Sequence, residues 1–328
     1  MAALLSVEGL SVEYVVGELR AEAVSDVSLE VGQAERVGLV GESGAGKSVV
    51  ARAIMGLIRR PGRITGGRVV FDGVDLTSAR ESVVDRIRGA RIALIPQDAS
   101  LALNPVLRIG DQCEEMIRRH LRTSRSEAIR RARKTMLRVG LADPDRVLNS
   151  FAHELSGGMK QRVAIAMALS CDPQLLIADD PTSAVDVTIQ AQILKEFRDL
   201  TERLGVAVLF ISHDLRVVSS LCSRVVVLYA GQVAEAGASR AILARPSHPY
   251  TAALLACAPT VEARANPLPV VPGAPPDAFE IVSGCRFHPR CPRKLDRCVT
   301  ETPHLVGAGH DVACWNPLVE VTAKAALK

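Results

Sequence analysis

An α/β fold is what the sequence predicts, on three observations. Short apolar runs of strand length, RVGLV, RIALI, LLIAD and AVLFIS, alternate with stretches whose apolar residues recur at helical spacing. The first of these runs stops at a glycine-rich turn, and the segment behind that turn, SVVARAIMGLI, has helical periodicity. Between roughly 100 and 171 the pattern turns helical and arginine-rich without a strand, as in DQCEEMIRRHLRTSRSEAIRRARKTMLRVG, so a helical insert interrupts the α/β core.

Residues 4 to 40 alternate like strands, in LLSVEGLSVEY and AVSDVSLEV, before the apolar RVGLV. RVVFDGVDL and RIALIPQD each read as one further strand, LLIAD and AVLFIS resume the core after the insert, and RVVVLYAGQVAEAG ends it as a strand pair. The core closes near residue 245. Beyond it, APTVEARANPLPVVPGAPPDAFE holds six prolines and runs as an extended linker to a cysteine-bearing segment. Two domains result: 1–245, with a helical subdomain at about 100–171, and a C-terminal extension, 246–328.

With 328 residues, 48% of them hydrophobic, the chain can bury a substantial core. Its net charge of +4 is the small remainder of 40 basic and 36 acidic side chains, so no single-sign surface for nucleic acid is expected. The start, MAALLSVEGLSVEY, lacks the features of a signal peptide, and every apolar run is too short to span a bilayer. Of eight cysteines, Cys285, Cys291, Cys298 and Cys314 fall in the last 44 residues, with five, six and fifteen residues between them. Thiols so grouped in a reducing compartment favour ligation of zinc or of an iron–sulfur cluster over disulfides. Cys113, Cys171, Cys222 and Cys257 are scattered through apolar or helical stretches and are expected in the core; His288 and His310 are expected at the surface.

The glycine-rich turn GESGAGKS, Gly41, Glu42, Ser43, Gly44, Ala45, Gly46, Lys47 and Ser48, has the spacing of a phosphate-binding P-loop and sits between a strand and a helix, as that chemistry requires. The glycines let backbone N–H groups turn inward around phosphate oxygens, and the helix start adds its dipole. Lys47 is suited to reach the β- and γ-phosphates of ATP and Ser48 to ligate Mg2+. Asp179, which ends the apolar strand LLIAD, is suited to hold the magnesium shell of the same site.

Between these motifs lies LSGGMKQR, Leu155 to Arg162, and here the sequence resembles the signature of ABC transporter ATPases. Physically, Ser156, Gly157 and Gly158 form a second glycine-bearing turn that opens a helix. The resemblance implies a RecA-like P-loop NTPase domain with an antiparallel β subdomain and a helical subdomain. It implies that this turn faces the γ-phosphate of a nucleotide held by a partner subunit. Gln97 in IPQD is similar to the glutamine that contacts magnesium and the attacking water, Ser183 to Asp186 to the D-loop, His213 in ISHDL to the histidine that hydrogen-bonds the γ-phosphate, and Tyr14 to the aromatic residue that stacks on adenine. In the family the residue after the magnesium-shell aspartate is normally a glutamate that polarises water. Here it is Asp180, one methylene shorter, which moves the carboxylate back by about 1 Å and is expected to slow hydrolysis at this chain's own site.

The segments SHPYTAALL, GCRFHPRCPRKLDRCVTETPHL and HDVACW resemble the C-terminal extension of oligopeptide and dipeptide importer ATPases, of the D-type rather than the F-type subunit. That resemblance implies a [4Fe-4S] cluster on Cys285, Cys291, Cys298 and Cys314. It also implies an F-type ATPase as partner in a heterodimer, two transmembrane permease subunits, an extracellular or periplasmic peptide-binding protein, and a peripheral place at the cytoplasmic face of the inner (plasma) membrane. Related transporters carry nickel, and the departure at Asp180 also suits a regulatory nucleotide-binding subunit with little turnover. ABC proteins of DNA repair or translation lack this tail.

Overall fold

The structure is a computed structural model that describes residues 3–181, 187–257, 271–277, 279–280 and 282–319. Its strands are, in chain order, β1 (Leu5–Val16), β2 (Leu19–Val31), β3 (Arg36–Val40), β4 (Gly62–Phe71), β5 (Val74–Asp75), β6 (Ile92–Ile95), β7 (Leu175–Asp179), β8 (Ala207–Ser212), β9 (Arg224–Tyr229), β10 (Gln232–Ala238), β11 (Val306–Gly307) and β12 (His310–Val312). Two compact units form: Met1–Val31, Arg36–Ser78 and Ile211–Lys328 make the first, Gly32–Glu35 and Ala79–Phe210 the second.

In the first unit, β2-β1-β4-β5 form an antiparallel sheet. Leu5, Val7, Leu10 and Val12 of β1 are all buried, which strict alternation forbids because 5 and 7 differ in parity from 10 and 12. A bulge between Val7 and Leu10 resolves this, with Gly9 at φ +58° in the strand's kink. The partner strand accommodates it at Gly67, where a Cβ would lie 2.4 Å from the Glu8 carbonyl oxygen. RVVFDGVDL is a hairpin rather than one strand: Phe71 pairs with Val74 around Asp72 and Gly73, both at positive φ, as a two-residue turn demands.

The same unit holds a second set of strands in the order β11-β12-β10-β9-β3. β9 and β3 run parallel, Leu39 beside Val226, and β9 and β10 are a hairpin turning at Ala230 and Gly231, the strand pair expected from RVVVLYAGQVAEAG. Strand β12 pairs with β10, Glu235 beside Val312, so this part of the C-terminal extension is stitched into the sheet; residues 258–270 of the expected linker lie outside the described residues.

Buried Glu235 anchors that stitching. Its carboxylate, with 0% of the side chain exposed, accepts the N–H groups of Ser247 (2.8 Å) and His248 (2.9 Å) and meets His310 Nε2 at 2.6 Å. His310 is therefore no free surface residue, contrary to expectation, because a buried carboxylate must be partnered. His288 is half-buried, its Nδ1 3.0 Å from the Cys285 carbonyl oxygen three residues earlier.

The second unit carries β6 and β7 as parallel neighbours, Ile95 level with Ala178. Its helices include Ile109–Leu121, Arg125–Arg138, Pro144–Asn149, Gly157–Leu169 and Val187–Leu204. The long arginine-rich stretch breaks in two: Arg122 turns left-handed at φ +50°, and Ser124 caps the next helix by accepting the Glu127 N–H. That helix buries Ala128, Ala132, Thr135 and Met136, one face at helical spacing. Cys113, Cys171 and Cys222 are core residues, and burial pushes their thiols up to about 12, 11 and 12; Cys257 is only half-buried.

Candidate functional site: a phosphate loop and a glycine turn

Val37, Leu39 and Val40 of β3 are fully buried and deliver the chain to Gly41. A Cβ at Gly41 would lie 2.2 Å from the Leu228 carbonyl oxygen on β9, and one at Gly46 2.5 Å from the Ala23 carbonyl oxygen on β2. Only glycine fits at either place, and Gly46 also caps the helix Lys47–Ile54 at φ +99°. The loop closes on itself through Ala45 N–H to Glu42 O at 3.1 Å, and the Gly46 carbonyl accepts from Val49 and Val50 at 3.0 Å. Lys47 Nζ donates to the Gly41 and Glu42 carbonyls, each at 2.8 Å, which holds the ammonium over the loop's mouth. The outcome is a ring of main chain with a cation above it and a helix start below, a cradle for an anion.

Two other predicted residues lie in this unit. Tyr14 is half-buried on β1 with its ring against Gly62, where a Cβ would meet Cε1 at 2.6 Å. His213 is exposed just beyond β8, next to Asp214, which caps the following helix by accepting from Arg216 (2.8 Å) and Val217 (3.2 Å).

The second unit holds the remaining candidates. Gln97 is exposed two residues beyond the end of β6. Because Ile95 and Ala178 are level, Gln97 and Asp180 leave the same edge of two adjacent parallel strands, and Asp179 is the last residue of β7. Open α/β sheets bind ligands at that carboxyl-terminal edge. Asp180 is 8% exposed and takes φ +45°, a conformation aspartate tolerates better than most residues.

Ser156 caps the helix Gly157–Leu169, its Oγ accepting the Met159 N–H at 3.3 Å. Ser156 and Gly157 are exposed and Gly158 half-buried. At Gly157 a Cβ would meet nothing within 4 Å, and its φ is not positive, so nothing in the chain itself calls for a glycine there. The D-loop expected at Ser183 to Asp186 lies outside the described residues.

In the C-terminal segment each of the four clustered cysteines accepts a backbone N–H: Cys285 from Phe287, Cys291 from Arg293, Cys298 from Leu295 (3.4 Å) and Cys314 from Asn316 (3.4 Å). Burial, with a smaller contribution from the neighbouring thiols, raises Cys285 to about 11, and burial raises Cys291 and Cys314 as well. Among the described residues no group of three or more His, Cys, Asp or Glu side chains is arranged to hold a metal ion. No helix among the described residues is long and apolar enough to cross a membrane.

Sequence reasoning did not single out Tyr250, His248, Glu235 or Arg290, all of which pack around the phosphate-loop unit. Their only signal lies in the segments QVAEAG, SHPYT and FHPRC, where nothing local tells which side chains turn inward. Tyr250 N–H donates to His248 Nδ1 at 3.0 Å, which requires that nitrogen to be unprotonated, and burial pushes His248 from 6.5 down to about 4.

The sequence matches the model of the ABC transporter family over residues 24–183 and that of the oligopeptide/dipeptide transporter C-terminal region over 234–298. It is 45% identical over 316 residues to the probable peptide ABC transporter ATP-binding protein y4tR of Sinorhizobium fredii, covering 95% of this chain and 94% of that protein. It is 43% identical to the dipeptide transport ATP-binding protein DppD of Escherichia coli (96% and 97% covered) and 38% identical to its oligopeptide transport ATP-binding protein OppD (97% and 95%). Among solved structures, the dimeric post-hydrolysis state of the ATP-binding cassette MJ0796 bound to ADP and Pi superposes with a TM-score of 0.65 at 28% identity, over 72% of this chain and 99% of that one.

A folded His248 below its ordinary pKa stabilises the chain above pH 6.5, and that contribution is lost as the pH falls toward 4. Urea unfolding across this range should show the unmodified chain losing up to about 3 kcal/mol more than His248→Gln, which has nothing to titrate there. Equal losses would show that His248 is not the group responsible. With a phosphate loop, a glycine turn and this similarity along nearly its whole length, the chain belongs to the ATP-binding subunits of ABC transporters, in their oligopeptide/dipeptide branch.

Proposed function

We propose that this subunit binds Mg·ATP on residues 41–48 and powers import of oligopeptides or dipeptides. It does so docked on two permease subunits at the cytoplasmic face of the inner membrane, paired with an F-type ATPase and supplied by a peptide-binding protein. The observation that carries the reading is the glycine-walled loop with Lys47 folded over its mouth. In this reading Lys47 and the loop amides hold the phosphates, Ser48, Asp179 and Gln97 serve the magnesium shell, Tyr14 stacks on adenine, and His213 hydrogen-bonds the γ-phosphate. Ser156, Gly157 and Gly158 close over the nucleotide of the partner ATPase. The open space at Gly157 supports that last role, because a glycine that the chain's own packing does not require leaves room for another molecule.

Asp180 is the carboxylate that would polarise water, and it is one methylene short. This chain's own site then turns over slowly, while its glycine turn completes a competent site on the F-type partner. The four cysteines are proposed to hold a [4Fe-4S] cluster. Amide donors on all four sulfurs oppose the burial that raises Cys285, Cys291 and Cys314, in the direction that thiolate ligation needs. When bound, the cluster would staple a segment too small to fold on its own core.

Lys47→Ala should abolish retention of Mg·ATP and peptide uptake. Gly157→Ala should leave the melting temperature unchanged yet lower the ATPase of the assembled transporter by about tenfold or more. Unaltered uptake in the first, or unaltered ATPase in the second, sinks the respective assignment. Asp180→Glu should raise turnover at this chain's own site by as much as about 100-fold. Asp180→Asn should harm the transporter far less than the equivalent change in the F-type partner, and equal damage would end the asymmetric reading. Anaerobically purified protein should contain iron and acid-labile sulfide that Cys298→Ser loses, whereas zinc with no sulfide would refute the cluster.

A further inference from the structure

Glu42, the second residue of the phosphate loop, has every polar group engaged. Its carbonyl accepts from Lys47 Nζ (2.8 Å) and from the Ala45 N–H (3.1 Å). The N–H donates to the Tyr250 hydroxyl at 2.8 Å, and its carboxylate is gripped by Arg290 through two bonds, Nη1 to Oε2 at 2.7 Å and Nη2 to Oε1 at 3.1 Å. Two of these partners, Tyr250 and Arg290, come from beyond residue 245 and from no motif of the phosphate site.

Arg290 is built in. Only 5% of its side chain is exposed, and all five of its N–H donors have an acceptor: Nε gives to Pro272 O (2.8 Å), Nη1 to Glu42 and the Tyr229 hydroxyl (3.3 Å), Nη2 to Glu42 and Val271 O (3.2 Å). The guanidinium also lies 5.7 Å from the Tyr229 ring centre and 5.9 Å from that of Phe287, within cation–π range. Tyr250 is fully buried and packs on the same two rings, with centroids 4.6 Å and 5.4 Å away. A guanidinium with every donor placed cannot swing aside, so the carboxylate it holds is as rigid as the aromatic cluster behind it. Arg290 ends the short helical turn His288–Arg290 and directly precedes Cys291, so the fold of the thiol segment sets its position.

We infer that Arg290 and Tyr250 are positioning residues for nucleotide binding: the C-terminal segment holds the phosphate loop in its anion-binding shape through Glu42. The two restraints act on different parts of one residue. Arg290 fixes the Glu42 side chain, and Tyr250 fixes the N–H at the point where the chain leaves Gly41. With both in place, the carbonyls that Lys47 contacts stay turned toward it. Neither side chain need touch nucleotide. Disorder in the thiol segment would therefore be felt first as weaker ATP binding, before any loss of the core. This inference rests on the proposal that residues 41–48 hold Mg·ATP.

The test measures Kd for Mg·ATP and for Mg·ADP on the purified full-length chain and its variants, with thermal unfolding alongside, and KM and kcat in the assembled transporter. Arg290→Gln, Tyr250→Phe and Glu42→Gln should each weaken both nucleotides by about tenfold, seen in KM more than in kcat. The double variant Arg290→Gln/Glu42→Gln should be no worse than the worse single one, because both remove the same link. Tyr250→Phe deletes one oxygen from a ring cluster, so it answers the question even if Arg290→Gln folds poorly. Should the unmodified chain retain Mg·ATP, Lys47→Ala lose it, and Tyr250→Phe and Glu42→Gln bind as tightly as the unmodified chain, the inference falls while the proposed function stands. If the unmodified chain itself binds no nucleotide, both fall.

Discussion

The close approach of three backbone segments around the phosphate loop is the constraint from which the rest follows. Gly41 lies against the carbonyl of Leu228 and Gly46 against that of Ala23, so neither can carry a side chain. Between them the turn of β9 and β10 bridges the loop to β2: Gly231 N–H donates to Ala45 O at 2.9 Å, and Ser25 N–H donates to Gly231 O at 2.8 Å. Arg286 then reaches from the thiol segment to Ala230 O in that same turn and to Glu22 on β2. Two of the loop's own N–H groups, those of Glu42 and Ala45, are committed to holding its shape, and the rest of the restraint comes from carbonyls, side chains and neighbouring strands.

Two carboxylates organise the C-terminal part of the phosphate-loop unit, and both follow the same logic. Glu235 is buried with three donors, from Ser247, His248 and His310; Glu42 is held by a bidentate arginine. Removing an ion from water is costly, and a buried carboxylate persists only where several donors offset that cost. Such hubs contribute little net stability, yet they make misassembly expensive, because losing any one partner strands a charge. For the tail this selects one docked arrangement, with β12 at the edge of β10 and the aromatic cluster of Tyr229, Tyr250 and Phe287 beneath Arg290. Through β12 the extension joins the sheet that carries the phosphate loop.

Asp180 illustrates a different constraint. It is buried and left-handed at the carboxyl end of β7, level with Gln97 on the neighbouring strand. Aspartate tolerates that left-handed turn better than most residues, and the pairing of β6 with β7 alone brings it level with Gln97.

Much was legible in the residues alone because it depends on local chemistry. Spacing of Gly41, Gly44, Gly46 and Lys47 after an apolar strand points to an anion cradle, and the periodicity of 125–138 dictates which helical face is buried. Other features needed the folded chain. The Gly9 bulge, the Asp72–Gly73 hairpin within what reads as one strand, and the inward turn of His310 all depend on which strand lies opposite. So does the link from Arg290 to Glu42, across 248 positions of sequence. Composition and periodicity describe how a segment meets water and its own neighbours, and they carry no information about which distant carboxylate a buried guanidinium will find. That pairing is decided when the sheets close, because only then does an unpartnered charge become too costly to leave.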